Sequence, residues 1–96
     1  MHPRVTTLIG STDQADIGTA DFRETVLPLV NERGGRGGIL LLDRESGRAV
    51  AITLWNDEEQ MRRSEEEAVE HRRRVSSELD SEAPIVERYE VAVLDL

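Results

Sequence analysis

Few side chains in this 96-residue chain are of the types that do chemistry. Trp55 is the sole tryptophan and ends an apolar run just before a helix-start pattern, Asn56-Asp57-Glu58-Glu59. An indole face stacks on flat ligands while its N–H orients a polar group. The same ring can instead close one end of a core, since large aromatics are mostly packing. Glu67 and His71 stand four apart, so one helical face could offer both to a metal. Two ligands do not make a site, and the sequence supplies no third. His71 otherwise reads as a surface residue among Glu70, Arg72, Arg73 and Arg74, a run that reads as a solvated face. His2 reads as part of a frayed terminus. Thr7, Thr53, Asp43, Arg88 and Tyr89 are polar groups on strand-like stretches, and none of them can be assigned as a general base. Gly34-Gly35-Arg36-Gly37-Gly38 lacks the Gly-Lys-Ser/Thr ending of a phosphate loop and reads as a flexible connector. No serine-centred triad, retaining carboxylate pair or dinucleotide glycine pattern is recognisable.

Whole residue types are missing, and that excludes whole chemistries. All twelve basic residues are arginine, so Schiff-base and lysine-held pyridoxal chemistry are out. Without cysteine there are no disulfides, thiolate nucleophiles, zinc fingers or iron–sulfur clusters. A net charge of −8 and a pI near 4.7 argue against nucleic acid and anionic membranes as partners. The N-terminus has no signal-like apolar run, and the longest aliphatic runs, Ile39–Leu42 and Val91–Leu94, are far too short to span a bilayer. The expectation is a cytoplasmic protein, one domain over residues 1–96, with an aliphatic core because Phe22, Trp55 and Tyr89 are its only aromatics.

The elements that must position these residues centre on Gly38 to Glu59. Ile39–Asp43 and Ala49–Trp55 read as two strands joined by Glu45-Ser46-Gly47, a turn closed by a glycine with positive φ. That register would set Leu42 opposite Val50 and Leu40 opposite Ile52. One face would carry Leu40, Leu42, Val50, Ile52 and Leu54, and the other Ile39, Leu41, Asp43, Ala49, Ala51, Thr53 and Trp55. Both faces are mostly apolar, so both should be covered. Val5–Ile9 predicts a first strand and Gly10–Gly18 a loop. A helix capped by Thr19 should carry Phe22, Val26, Leu29 and Val30 on one face, bend at Pro28 and end at Arg33. A capping box of Asn56 and Glu59 should open a second helix to about Leu79. Its inner stripe is Met61, Ala68, Val75 and Leu79, interrupted by Glu65 and Arg72. Val86–Leu94 reads as the last strand.

The order is β-α-β-β-α-β, an α+β, ferredoxin-like arrangement with an antiparallel sheet. Its apolar edge strand and doubly apolar hairpin call for a cover, which a second copy would supply. From Leu40 to Glu59 and from Val86 to Leu94 the chain resembles the dimeric α/β-barrel family that includes the antibiotic-biosynthesis monooxygenases. The resemblance implies a homodimer whose sheets pair into a barrel, with a ligand cleft between sheet and helices in each chain. Some members oxygenate polycyclic aromatics without metal or flavin, others degrade haem, and others have no assigned activity. The haem-degrading members combine a first-strand asparagine with a tryptophan and a helix histidine. Here the first strand offers Thr6 and Thr7, and Asn56 adjoins the tryptophan as a cap. The expectation is a cofactor-independent monooxygenase-like protein that binds a small apolar or aromatic, polyketide-like ligand. The alternative is a non-catalytic dimeric ligand-binding or structural module. The residues expected at the cleft are Trp55, Thr53, Thr7 and Phe22, with no metal and no cofactor.

Overall fold

β-branched and aliphatic residues alternate over His2–Ile9, and this stretch forms β1. The structure is a computed structural model that describes residues 1–10, 12–78 and 84–96. β1 reaches three residues further toward the N-terminus than expected. His2 is not frayed: it is half-buried opposite Trp55. A 3-10 turn, Thr12–Gln14, leads into α1 (Ala15–Asp21), a π-helical turn (Phe22–Val26) and α2 (Leu27–Glu32). Then come β2 (Gly37–Asp43), β3 (Arg48–Trp55), α3 (Glu58–Arg63), α4 (Glu65–Glu78) and β4 (Ile85–Arg88). The sheet is antiparallel, ordered β2-β3-β1-β4, so β1 and β3 are central. This is the α+β, ferredoxin-like arrangement that the sequence implied.

The hairpin register differs by one residue from the expected one. Leu42 pairs with Ala49, Leu41 with Val50 and Leu40 with Ala51. The turn is longer than a three-residue loop. Asp43 pairs with Arg48, and Asp43 Oδ1 accepts from the backbone N–H groups of Glu45 (3.0 Å) and Ser46 (3.4 Å). Those donors hold the Asp43 carboxyl below its ordinary range. Gly47, at φ +77°, closes the turn and donates to Asp43 O. Because side chains alternate, the one-residue slip regroups the faces. Leu40 and Leu42 join Ala49, Ala51, Thr53 and Trp55 on the helix-covered side. Ile39, Leu41, Val50, Ile52 and Leu54 share the other.

The first helix starts earlier than expected. Thr19 is interior to α1, and its hydroxyl donates back to Ala15 O (2.9 Å) rather than capping. Pro28 sits in the first turn of α2, where a missing N–H costs little, and the π turn just before it takes up the bend. The second helix is capped one residue later than expected: Asp57 Oδ1 accepts from Gln60 N (2.8 Å), and Gln60 Oε1 accepts from Asn56 N (2.8 Å). It also breaks at Ser64, whose hydroxyl donates to Met61 O (2.7 Å) and competes with the helical ladder. Leu79 and the side chain of Val75, expected on the inner stripe, lie outside the described residues. β4 is shorter than the expected strand. Backbone bonds Tyr89 N to Pro3 O and Val91 N to Met1 O continue beside β1, and the register puts Val91 opposite Met1, where this ladder ends.

The glycine-rich connector is fitted rather than loose. A Cβ on Gly35 would lie 2.4 Å from Val30 Cγ1, and one on Gly38 would lie 2.7 Å from Ile52 O and 3.0 Å from Phe22 Cζ. Glycine is what lets the covering helix approach the start of β2 this closely. The core beneath is small: Val30, Trp55 and Met61, with Val26 packed against them and Phe22 buried nearby.

Candidate ligand-binding site

A cavity of about 140 Å³, partly open to solvent, lies between the helix-covered face of the sheet and the helices. Its floor comes from alternate residues of β1 and β3, above all Arg4, Thr6 and Leu8 facing Thr53, Ala51 and Ala49. Arg4 and Leu8 are four positions apart on β1, about 13 Å of strand, which sets the length of the floor. Phe22, Val26 and Leu29 roof it, and Ala68 and His71 of α4 close its side.

Trp55 is a core residue that also borders the cavity. Only 1% of it is exposed, and it packs in the core with Val30 and Met61. It also forms a wall of the cavity. Its Nε1 donates to Thr53 Oγ1 (3.0 Å), so the indole N–H is already engaged. Thr53 and Phe22 share this cavity with it. Thr7 is not brought there. The two-residue period of β1 places it on the open side, opposite Val50 and Ile85, and gives the cavity position to Thr6, which is buried.

Sequence reasoning passed over the residue that dominates the Trp55 end. Arg4 is 4% exposed, its guanidinium 5.7 Å from the Trp55 ring centroid. Its Nη1 donates to Met61 O (3.2 Å), Ser64 Oγ (3.1 Å) and Glu65 Oε2 (2.9 Å). Glu65 also takes Arg72 at 3.4 Å and Arg88. Burial raises the pKa of the Glu65 carboxyl, but Arg88 and Arg4 outweigh it and hold the group below its ordinary value. Burial lowers the Arg4 pKa against the pull of Glu65. Glu65, which looked like an interruption of an apolar stripe, is the partner that a buried Arg4 requires, and Arg72, the other interruption, pairs with the same carboxylate.

His71 is not on the surface. Its side chain is 16% exposed, with Nε2 2.9 Å from Asp21 Oδ2 and Nδ1 3.0 Å from Arg74 Nη2. An arginine only donates, so Nδ1 accepts and the proton sits on Nε2, directed at Asp21. Both ring nitrogens are therefore occupied by protein groups. Glu67, the other half of the spacing that suggested a metal pair, is paired with Arg33. Arg72 leaves the solvated run by turning inward to Glu65, whereas Arg74 stays exposed with its contact to His71. A helical reading from Met61 and Ala68 would have found His71, three residues beyond Ala68 on the same face. Nothing local marks Arg4, because its acceptors lie some sixty positions away.

At the other end of the cavity, Gly10 N donates to Gly47 O (3.1 Å), and Arg44 pairs with Asp16 (3.3 Å) across the mouth. Gln14 lines this end. Among the described residues, its Oε1 is the one buried side-chain polar atom without a hydrogen-bond partner.

Sheet order, helices on one face and a cavity between them define an α+β, ferredoxin-like architecture. The fold is also that of a crystal structure of a candidate antibiotic biosynthesis monooxygenase from Deinococcus radiodurans. The TM-score is 0.75 at 14% identity, covering all of this chain and 97% of that one. At that identity the likeness is one of fold. In sequence, the chain is similar to two uncharacterized proteins of Mycobacterium tuberculosis, Rv2557 and Rv2558. They are 34% and 36% identical over 95 residues. The match takes in 98% of this chain but only 42% and 40% of theirs, so the chain spans about two-fifths of these relatives. No family model matches it. Among the described residues, no helix is long and apolar enough to cross a membrane.

Proposed function

We propose that this protein is a ligand-binding module that takes a small apolar or aromatic molecule in the cavity beside Trp55, and that it works as a homodimer. The observation that carries the reading is a cavity with predominantly apolar walls between the sheet and the helices. Trp55, Thr53 and Phe22 are the expected contacts, with Thr6 in place of Thr7. The dimer is supported by the open sheet face, where Ile39, Leu41 and Ile85 are about half exposed. Apolar surface of this kind marks association sites. Toluene, titrated into the protein, should raise the melting temperature saturably and shift the emission of the single tryptophan. A response that never saturates would remove the binding reading.

A second reading, cofactor-independent oxygenation of an electron-rich aromatic, is favoured by His71–Asp21 at the cavity wall and by the kind of protein that shares the fold. A phenol and dioxygen give a quinone and water in balance, with the phenol as reductant. To accept a proton, His71 must first lose the Arg74 contact, which leaves Nδ1 open while Nε2–H stays on Asp21. Oxygen uptake with a phenol, abolished by His71→Ala, would support this reading. No uptake from the wild type would leave the non-catalytic module.

A further inference from the structure

From the unpartnered side-chain oxygen of Gln14 and the size of the cavity, we infer that the ligand is a monocyclic phenol or a close analogue, with Gln14 hydrogen-bonded to its hydroxyl. The inference rests on the cavity being the binding site and adds which ligand it selects.

Size comes first. Ligand sites for larger organic molecules measure roughly 300–1,000 Å³, whereas an engineered cavity of about 150 Å³ in another protein holds benzene. At about 140 Å³ the space here matches one ring. A polycyclic, polyketide-like skeleton would have to project through the open mouth.

The second observation is chemical. Gln14 stands at the N-terminal boundary of α1, where a side chain would ordinarily cap the helix, yet it makes no capping bond. It lines the cavity instead, with its Oε1 buried and unpaired. A buried amide without a partner is costly, and a ligand that supplies the partner removes the cost. A hydroxyl serves whichever way the amide is turned, because it both donates and accepts. Leu8, Leu42 and Ala49 give this end aliphatic walls, beside the charged Asp43, Arg44 and Arg48 of the hairpin turn. Those walls suit a ring carrying one polar substituent better than a polyol or an ion. Arg44 is tied to Asp16, and Asp43 is held by its own turn with Arg48 opposite it.

Selection then follows from what each ligand leaves behind. A phenol completes the amide, while toluene, nearly identical in shape, covers it and leaves it unpaired. Sites built around a hydrogen bond reject the analogue that lacks it more strongly than apolar pockets reject an added hydroxyl. Calorimetric titration of phenol and toluene into the intact protein tests this, with Gln14→Leu as the variant and Gln14→Met as a second should the first fold poorly. Wild type should bind both. Replacing Gln14 should move the phenol-to-toluene affinity ratio about tenfold toward toluene, with toluene bound at least as tightly as before. A ratio unchanged within threefold would overturn the role of Gln14 and leave the cavity as a purely apolar site. Binding of neither ligand to the wild type would overturn the cavity reading and this inference with it.

Discussion

The two faces of the sheet invert the usual placement of side chains. On the covered face, a guanidinium and two hydroxyls are buried at Arg4, Thr6 and Thr53. On the open face, Ile39, Leu41 and Ile85 meet solvent. A chain that only had to fold would spend its few large apolar residues on the covered side. This one has just four buried hydrophobic residues among those described, Phe22, Val30, Trp55 and Met61. The covered face holds a fixed polar network and an apolar space beside it. The open face is largely apolar over β2, with a Tyr89–Glu87 hydrogen bond on its β4 side.

Several substitutions break or sharpen that contrast. Trp55→Ala strikes the covered face hardest: with the ring wholly buried, it should cost about 3–5 kcal/mol of stability, read from urea unfolding. A loss below about 1 kcal/mol would show that the covered face does not depend on its tryptophan. Glu65→Gln comes next. It weakens charge-assisted bonds to Arg4 and Arg88 and should cost about 1.5–3 kcal/mol. The pH dependence follows from the lowered Glu65 pKa. Its contribution is fully present above the ordinary carboxyl value of 4.5 and is lost as pH falls through the lower folded value. The stability-versus-pH curve of Glu65→Gln should therefore be flatter than wild type on the acid side of 4.5, and equal slopes there would remove Glu65 from the acid response. Gly35→Ala drives a methyl into Val30 and should cost about 1–3 kcal/mol through overpacking. An unchanged midpoint would mean that the connector is as loose as its composition suggests. Smallest in the single chain is Leu41→Asp on the open face, within about 0.5 kcal/mol. If that face joins two copies, the same substitution should convert a sedimenting dimer to monomer. A wild-type monomer at micromolar concentration would instead confine the contrast to one chain.

Legibility followed the range of the interactions. Element order, the hairpin, its positive-φ glycine and the cavity-facing Trp55, Thr53 and Phe22 rest on local alternation and helical period, and these could be read. The hairpin register was off by one because Asp43 caps a longer turn with its own side chain, and that slip decides which leucines face the cavity. Thr7 was preferred over Thr6 because β1 alone does not say which parity is covered. Arg4, Ser64 and His71 were missed for a different reason. Their roles come from partners on other elements, and a basic residue three positions from the N-terminus carries no local sign of burial.

The Glu65 junction also bears on the order of assembly. The β2–β3 hairpin closes locally, whereas Arg4 reaches Glu65 from 61 positions away and Arg88 from 23. Non-local closures of that span come late, after the chain has met the entropy of forming large loops. The Arg4 and Arg88 contacts at Glu65 thus act as a latch fastened after the transition state, and Glu65→Gln should accelerate unfolding several-fold while refolding keeps its rate. Stopped-flow chevrons would show one limb displaced and the other superimposed. A protein latched in this way owes its lifetime in the folded state, more than its speed in reaching it, to one carboxylate.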